Sequence, residues 1–240
     1  MRKGLETLGF SFDEPHLTHF GGMVLMQRFC KQLRLRHRLQ RAVRLPQRPG
    51  EYAPTDVMLA LLFAIIAGLR RLNKTEVLQY NGAFLSLLGL ASFPDQSTFR
   101  RFLKRLPTET IRQVVRVHDQ LRRELSALPQ APSSLIFDID SVVLTLYGQQ
   151  QGARVGYNVA FFHLVLLAFD LAHWFKRLCL PPEYLHATLE TLRTDLLVVP
   201  ARLVRRGGRN VLHLPREYRH RELFEHAFQR ARRLKVPAKR

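Results

Sequence analysis

The run Leu135–Ser141, LIFDIDS, holds two carboxylates, Asp138 and Asp140, one residue apart. Leu135, Ile136, Phe137 and Ile139 are strand formers, bounded upstream by Pro129 and Pro132, and predict a β-strand. Alternation places Ile136, Asp138 and Asp140 on one face, and Leu135, Phe137 and Ile139 on the other. Two carboxylates on one face of an apolar strand are costly to bury without partners. Two chemistries answer that cost. A divalent cation such as Mg²⁺ or Mn²⁺ takes hard oxygen ligands of this kind. Alternatively, the pair is an acidic strand end capping the turn at Ser141, because a carboxylate pair suggests function without specifying it.

The stretch continues to Asn158 as FDIDSVVLTLYGQQQGARVGYN. Asp138, Asp140, Ser141, Tyr147, Gly148, Gln150, Gly152, Ala153, Gly156, Tyr157 and Asn158 fall in the order of an acidic D-x-D-[ST] strand, a second strand, Y-G-x-Q-x-G-A and G-Y-N. This resembles the first catalytic block of the insertion-sequence DDE transposases of group 1, with Val142 where a Thr usually follows the Ser. Two further runs are similar to the same family: Phe20–Phe29, with its F-G-G start, and Phe93–Leu106, with its P-x-Q-S-T order. The resemblance implies a ribonuclease-H-like core on which three acids bind two metal ions, Mg²⁺ or Mn²⁺. Asp140 would be the first catalytic and metal-binding acid, with Asp138 as the alternative. The implied reaction is metal-dependent cutting and joining of DNA ends. An activated water attacks a phosphodiester, and the freed 3′ hydroxyl then attacks target DNA.

The chain departs from the family after Asn158. In the family, further strands, a second Asp and a Glu-bearing helix follow. Here Asn158 runs directly into VAFFHLVLLAFDLAHWFKRLCLP, which resembles the family's late helix. The resemblance therefore implies an in-frame internal deletion and a transposase that lacks strand cleavage; the alternatives are a DNA-binding protein that regulates transposition by occupying transposon ends, or a non-functional transposase remnant. Asp170, Glu183, Glu190, Asp195, Glu217, Glu222 and Glu225 lie in no context matching a second or third catalytic acid. Two-metal chemistry needs ligands that hold ions about 3.5–4 Å apart, which one aspartate pair does not easily supply.

The elements that would position this chemistry are mostly helical. Repeats at three and four predict helices from Phe20 through Leu35, from Val57 through Leu69, from Glu76 to Gly89 with a disturbance at Asn81 and Gly82, and from Thr108 to Leu128. Thr55 and Ser97 are the expected N-caps, and Gly89 is an expected helix end. His118, on an apolar stripe, reads as a core or boundary residue rather than a ligand. Residues 4–20 read as irregular, and strands are expected only from near Leu135. Thr191–Leu214 is expected to form a hairpin turning at Gly207–Gly208, and Arg216–Leu234 a last amphipathic helix. The fold expected is mainly α with a small β part: a helical N-terminal domain, then a truncated ribonuclease-H-like remnant. The units are residues 1–130, 131–158 and 159–240.

Charge points to the partner. The 240 residues carry 38 Lys+Arg against 19 Asp+Glu, a formal charge of +19, and such an excess favours a polyanion, most simply nucleic acid. Three clusters concentrate it. Arg34, Arg36, Arg38, Arg41 and Arg44 lie in a run that is either a solvated helix face or a set of phosphate contacts. Arg100, Arg101, Lys104 and Arg105 oppose Phe99, Phe102 and Leu103, which suits a recognition helix or any basic surface helix. Arg205, Arg206 and Arg209 mark a hairpin tip that touches DNA or is a solvated turn. The partner expected from the resemblance is double-stranded DNA at transposon ends, with a homo-oligomer or a full-length transposase as further associates. A general RNA-binding role lacks any RRM-like aromatic signature. Cys30 and Cys179 imply no disulfide framework, and the opening MRKGLETLGFSFDEP does not read as a signal peptide. The longest apolar runs fall short of the roughly 20 residues of a membrane span. The expected location is bacterial cytoplasm, at the nucleoid.

Overall fold

The computed structural model describes residues 16–43, 45, 52–69, 72–79, 81–89, 92–128 and 159–236. Asp138, Asp140, Arg44 and the expected strand pair around them lie outside the described residues. Helix α1, Met23–Gln32, starts directly after Gly21–Gly22 because the chain must come very close to a distant segment there. A Cβ on Gly22 would lie 1.5 Å from the Leu196 carbonyl oxygen, and one on Gly21 would lie 2.4 Å from Ala201 Cβ. The Gly21 amide donates to the Val199 carbonyl at 2.9 Å, which fastens the approach. The F-G-G run is thus a packing requirement.

Arg34 turns the chain into α2, Leu35–Ala42, through the left-handed region at φ 52°, ψ 32°. Helix α3, Pro54–Ile66, has Ala53 as N-cap with Pro54 in its first turn, where a missing amide costs nothing. Thr55, expected to cap, is instead buried inside that turn. The end of α3 is closed by Arg193, whose Nε and Nη2 donate to the carbonyls of Ile66 and Ile65 at 2.9 and 3.3 Å. A 3-10 turn, Leu72–Thr75, leads to the short α4, Glu76–Gln79, and α5, Gly82–Leu88. Asn81 caps α5 by accepting from the Phe84 amide at 3.0 Å, and Gly89 ends it at φ 65°. Helix α6, Gln96–Arg105, is capped by Asp95 rather than Ser97: the carboxylate, two residues earlier and just outside the helix, accepts from the Thr98 amide at 2.6 Å. Helix α7 spans Thr108–Ser126 and α8 spans Val159–Cys179.

The β part is small. Strands β2, Ala201–Arg206, and β3, Arg209–His213, pair antiparallel around Gly207 and Gly208, both at positive φ as a two-residue hairpin turn requires. The hairpin is shorter than expected, because α9, Leu189–Leu192, and a π-turn, Arg193–Leu197, occupy its predicted first half. Thr188 caps that helical stretch by accepting from the Thr191 amide at 3.1 Å, which commits the backbone to helix before the β-branched residues are reached. A two-residue strand, β1, Leu17–Thr18, adds to β2 with Leu17 opposite Arg202, where irregular chain was expected. Two residues are too few to show alternation in sequence. The last helix, α10, spans Arg221–Arg233. The protein is mainly α with a three-stranded antiparallel sheet in the order β1-β2-β3.

One apolar core joins early and late helices. Met23, Leu25, Met26 and Phe29 of α1 are fully buried, with α8 and α10 among the helices packed against it. Phe29 meets Phe175 of α8 edge-on at 5.7 Å, and α3 packs along α8. The chain of rings Phe84, Phe93 and Phe99, at 6.1 and 5.7 Å, ties α5 and its following turn to α6. Among the described residues, α8 is long and apolar enough to cross a membrane, since the helix continues beyond the apolar run to Cys179. Its packing against α3, α7 and α10 is that of a core helix. The unit boundaries expected at residues 130 and 158 lie outside the described residues.

Candidate nucleic-acid interface

Helix α6 owes its orientation to its amphipathic pattern. Phe99, Phe102 and Leu103 are buried, against α3 and the 3-10 turn among others, which turns Arg100, Arg101, Lys104 and Arg105 outward. Arg101 Nη2 donates to Thr98 Oγ1 at 3.2 Å, so its guanidinium is steered along the helix surface. The backbone amide of Thr98 and the side chain of Ser97, both bonded to the Asp95 carboxylate, hold it below the usual carboxylate range. The cap is therefore charged at neutral pH, where it favours the positive N-terminal end of the helix dipole.

The second basic cluster does not act as a unit. Arg34 and Arg41 are exposed. Arg36 is held by the carboxylate of Asp56 and reaches the Gly89 carbonyl at 3.3 Å. Arg38 is taken up in the interior: its Nη1 and Nη2 grip the two Glu124 oxygens at 3.1 and 2.6 Å, and its Nε donates to the Leu33 carbonyl at 2.9 Å. That bidentate pair is the kind planar guanidinium favours, and it ties α2 to α7. At the third cluster, Arg205, Arg206 and Arg209 are all exposed at the hairpin turn. Sequence reasoning missed Arg116, an exposed α7 cation facing the same cleft as Arg34 and Arg41. It also missed the α3-capping role of Arg193, for which no local signal exists, because the partners lie 127 and 128 residues away.

Several of the described acids are committed to partners. Asp56 is paired with Arg36, Glu124 with Arg38, and Asp95 with its own helix. Asp170 Oδ2 lies 2.8 Å from His118 Nε2, with Arg122 at 3.9 Å. His118 is buried, as its place on an apolar stripe suggested. Asp195 is bound by Tyr184 at 3.3 Å and lies 3.5 Å from His220. Among the described residues, no group of three or more His, Cys, Asp or Glu converges in a way that could hold a metal ion. Asp56, Glu124, Asp95, Asp170 and Asp195 are thus engaged with partners of their own.

The arrangement is thus a basic surface on a helical scaffold, suited to phosphate contact. Searches of curated proteins and of solved structures each found no match. A family model described as transposase DDE domain group 1 matches residues 4–163 and 153–236. Those two stretches take in nearly the whole of the 240 residues, and the chain belongs to the transposase DDE domain group 1 family.

Proposed function

We propose that this chain binds duplex DNA at transposon ends and does not cut it. The family places its function in DNA transposition, a chemistry that generally uses divalent metal ions. The observation that carries the binding half is the outward face of α6: four cations, Arg100, Arg101, Lys104 and Arg105, over a buried aromatic face. A ten-residue helix of this kind is short enough to address one groove, and its cations reach phosphates on either side. Arg205, Arg206 and Arg209 at the hairpin tip supply a second, non-specific contact. Arg38 contributes by holding α2 in place, since its donors are engaged by Glu124 and Leu33.

The non-cutting half rests on an internal deletion after Asn158 that removes the strands bearing the second and third acids. Two observations support it. The family match falls in two stretches that meet at residues 153–163, where the sequence departs from the family order. In addition, α8 carries Val159, Phe162, Leu166 and Phe169 exposed at spacings of three and four, the kind of apolar stripe a helix buries against another layer. Occupying ends without cutting them would make the chain a regulator of full-length transposase, alone or in a mixed oligomer. The test is incubation of the purified protein with labelled duplex bearing the element's terminal repeats, in Mg²⁺ or Mn²⁺. A retarded complex with intact strands is expected. Cleavage that disappears in Asp140→Ala would contradict the proposal.

A further inference from the structure

A cleft of about 460 Å³ opens between α2 and α7, and its charge is one-sided. Arg34, His37, Arg38 and Arg41 line it from the α2 side, and Arg116 from α7. The carboxylate on its wall is Glu124, whose two oxygens are bonded by Arg38, with Gln120 Nε2 a further donor at 2.9 Å. That acid is neutralised in place, so Arg34, Arg41 and Arg116 add a net positive charge to the cleft. Arg116 pairs with Glu109 at 3.6 Å, with both side chains more than half exposed. Such a surface pair is worth about 0–1 kcal/mol and is readily exchanged for a better anion.

The backbone adds an independent sign. Arg34 is the one non-glycine residue at positive φ among the described residues. A side chain in that region costs about 1–2 kcal/mol, and such strain clusters at ligand sites, where the surroundings hold it. Here it sets Arg34 on the ridge between this cleft and a second one of about 390 Å³, lined by Arg34, Arg36 and His37. Gln32 of the first cleft donates to the Arg232 carbonyl at 2.9 Å, which brings the basic end of α10 to its rim.

We infer that the α2–α7 cleft is a phosphodiester seat, in which Arg34, Arg41 and Arg116 take backbone phosphates of duplex DNA, separately from α6. This rests on the DNA-binding reading above. The test uses the full chain carrying Arg41→Gln and Arg116→Gln, which leaves the structural Arg38 and the strained Arg34 untouched. Fluorescence anisotropy with a labelled duplex is measured at several salt concentrations, and a thermal melt checks folding. An unchanged melt with the slope of log K against log salt flattened by about 1.8, about 0.9 for each of two phosphates, is expected. Wild-type slope and affinity in the folded double variant would overturn the seat while leaving α6 as the contact. Should even the wild-type chain fail to bind duplex, the DNA reading falls, and inorganic pyrophosphate decides the cleft. A melting temperature raised by pyrophosphate in the wild type but not in the variant keeps an anion seat there. No shift in either removes it.

Discussion

Arg38 illustrates what a residue's neighbours in sequence do not reveal. It sits in a run of arginines, and the run invites one role for all of them. Its actual partner, Glu124, is 86 residues away and almost fully buried. Removing one member of a buried pair leaves the other charge uncompensated, at a cost of about 3–5 kcal/mol. Arg38→Ala is therefore expected to lower stability by about that much in urea denaturation; a loss below about 1 kcal/mol would mean the pair is solvated in solution. Asp95 gives a pH-dependent case. Its carboxyl is held low by the Thr98 amide and Ser97, so its contribution is full above the unfolded value of about 3.9 and is lost as pH falls through the lower folded value. Asp95→Ala should cost about 1 kcal/mol at pH 7 and nothing once the wild-type carboxyl is protonated. Melts at pH 7 and in strong acid check this; a difference that persists undiminished in acid would remove the cap's charge from the account. Ser97 is the cap expected from sequence; it lies inside the helix, and the capping place falls to Asp95 just before it.

At the scale of elements, helical periodicity marks the helices with one long buried face. The apolar faces of α6, α7 and α10 lie close to where spacing put them. The hairpin turn was legible because Gly207–Gly208 meets a conformational demand that few residues satisfy. The stretch 189–197 was not, because β-branched composition competes there with a helix cap at Thr188, and the cap won. Strand β1 had no readable pattern at all; it exists because β2 offers an edge. Gly22 is the sharpest test at this scale. A methyl group there must displace the backbone at Leu196, not a flexible side-chain end. Gly22→Ala is expected to cost about 3 kcal/mol or more, the upper range for overpacking. An unchanged thermal melt would show that the α1 start and residues 196–201 do not touch as described.

Over the whole molecule, α1 is enclosed by late elements: α10 and α8 cover it, and β1 pairs with β2. Sequence pattern gave these helices but not their company, since apolar faces carry no address. A chain ending at residue 130 would leave Met23, Leu25, Met26 and Phe29 without their partners, and is expected to show no cooperative thermal transition. At the candidate sites, Asp138 and Asp140 stand out in sequence by type and spacing but lie outside the described residues, while the cleft cation Arg116 looks like any exposed helix residue. The proposed function that unites these parts is duplex binding by a basic helical scaffold, and its most direct measurement is the salt dependence of duplex affinity in the wild type and in the quadruple variant Arg100→Ala, Arg101→Ala, Lys104→Ala, Arg105→Ala. Four phosphate contacts at about 0.9 each predict a wild-type log K that falls steeply with log salt, and a variant slope flatter by about 3–4 with the fold intact. A wild-type chain that binds no duplex at low salt, or a folded variant with unaltered slope and affinity, would contradict the account.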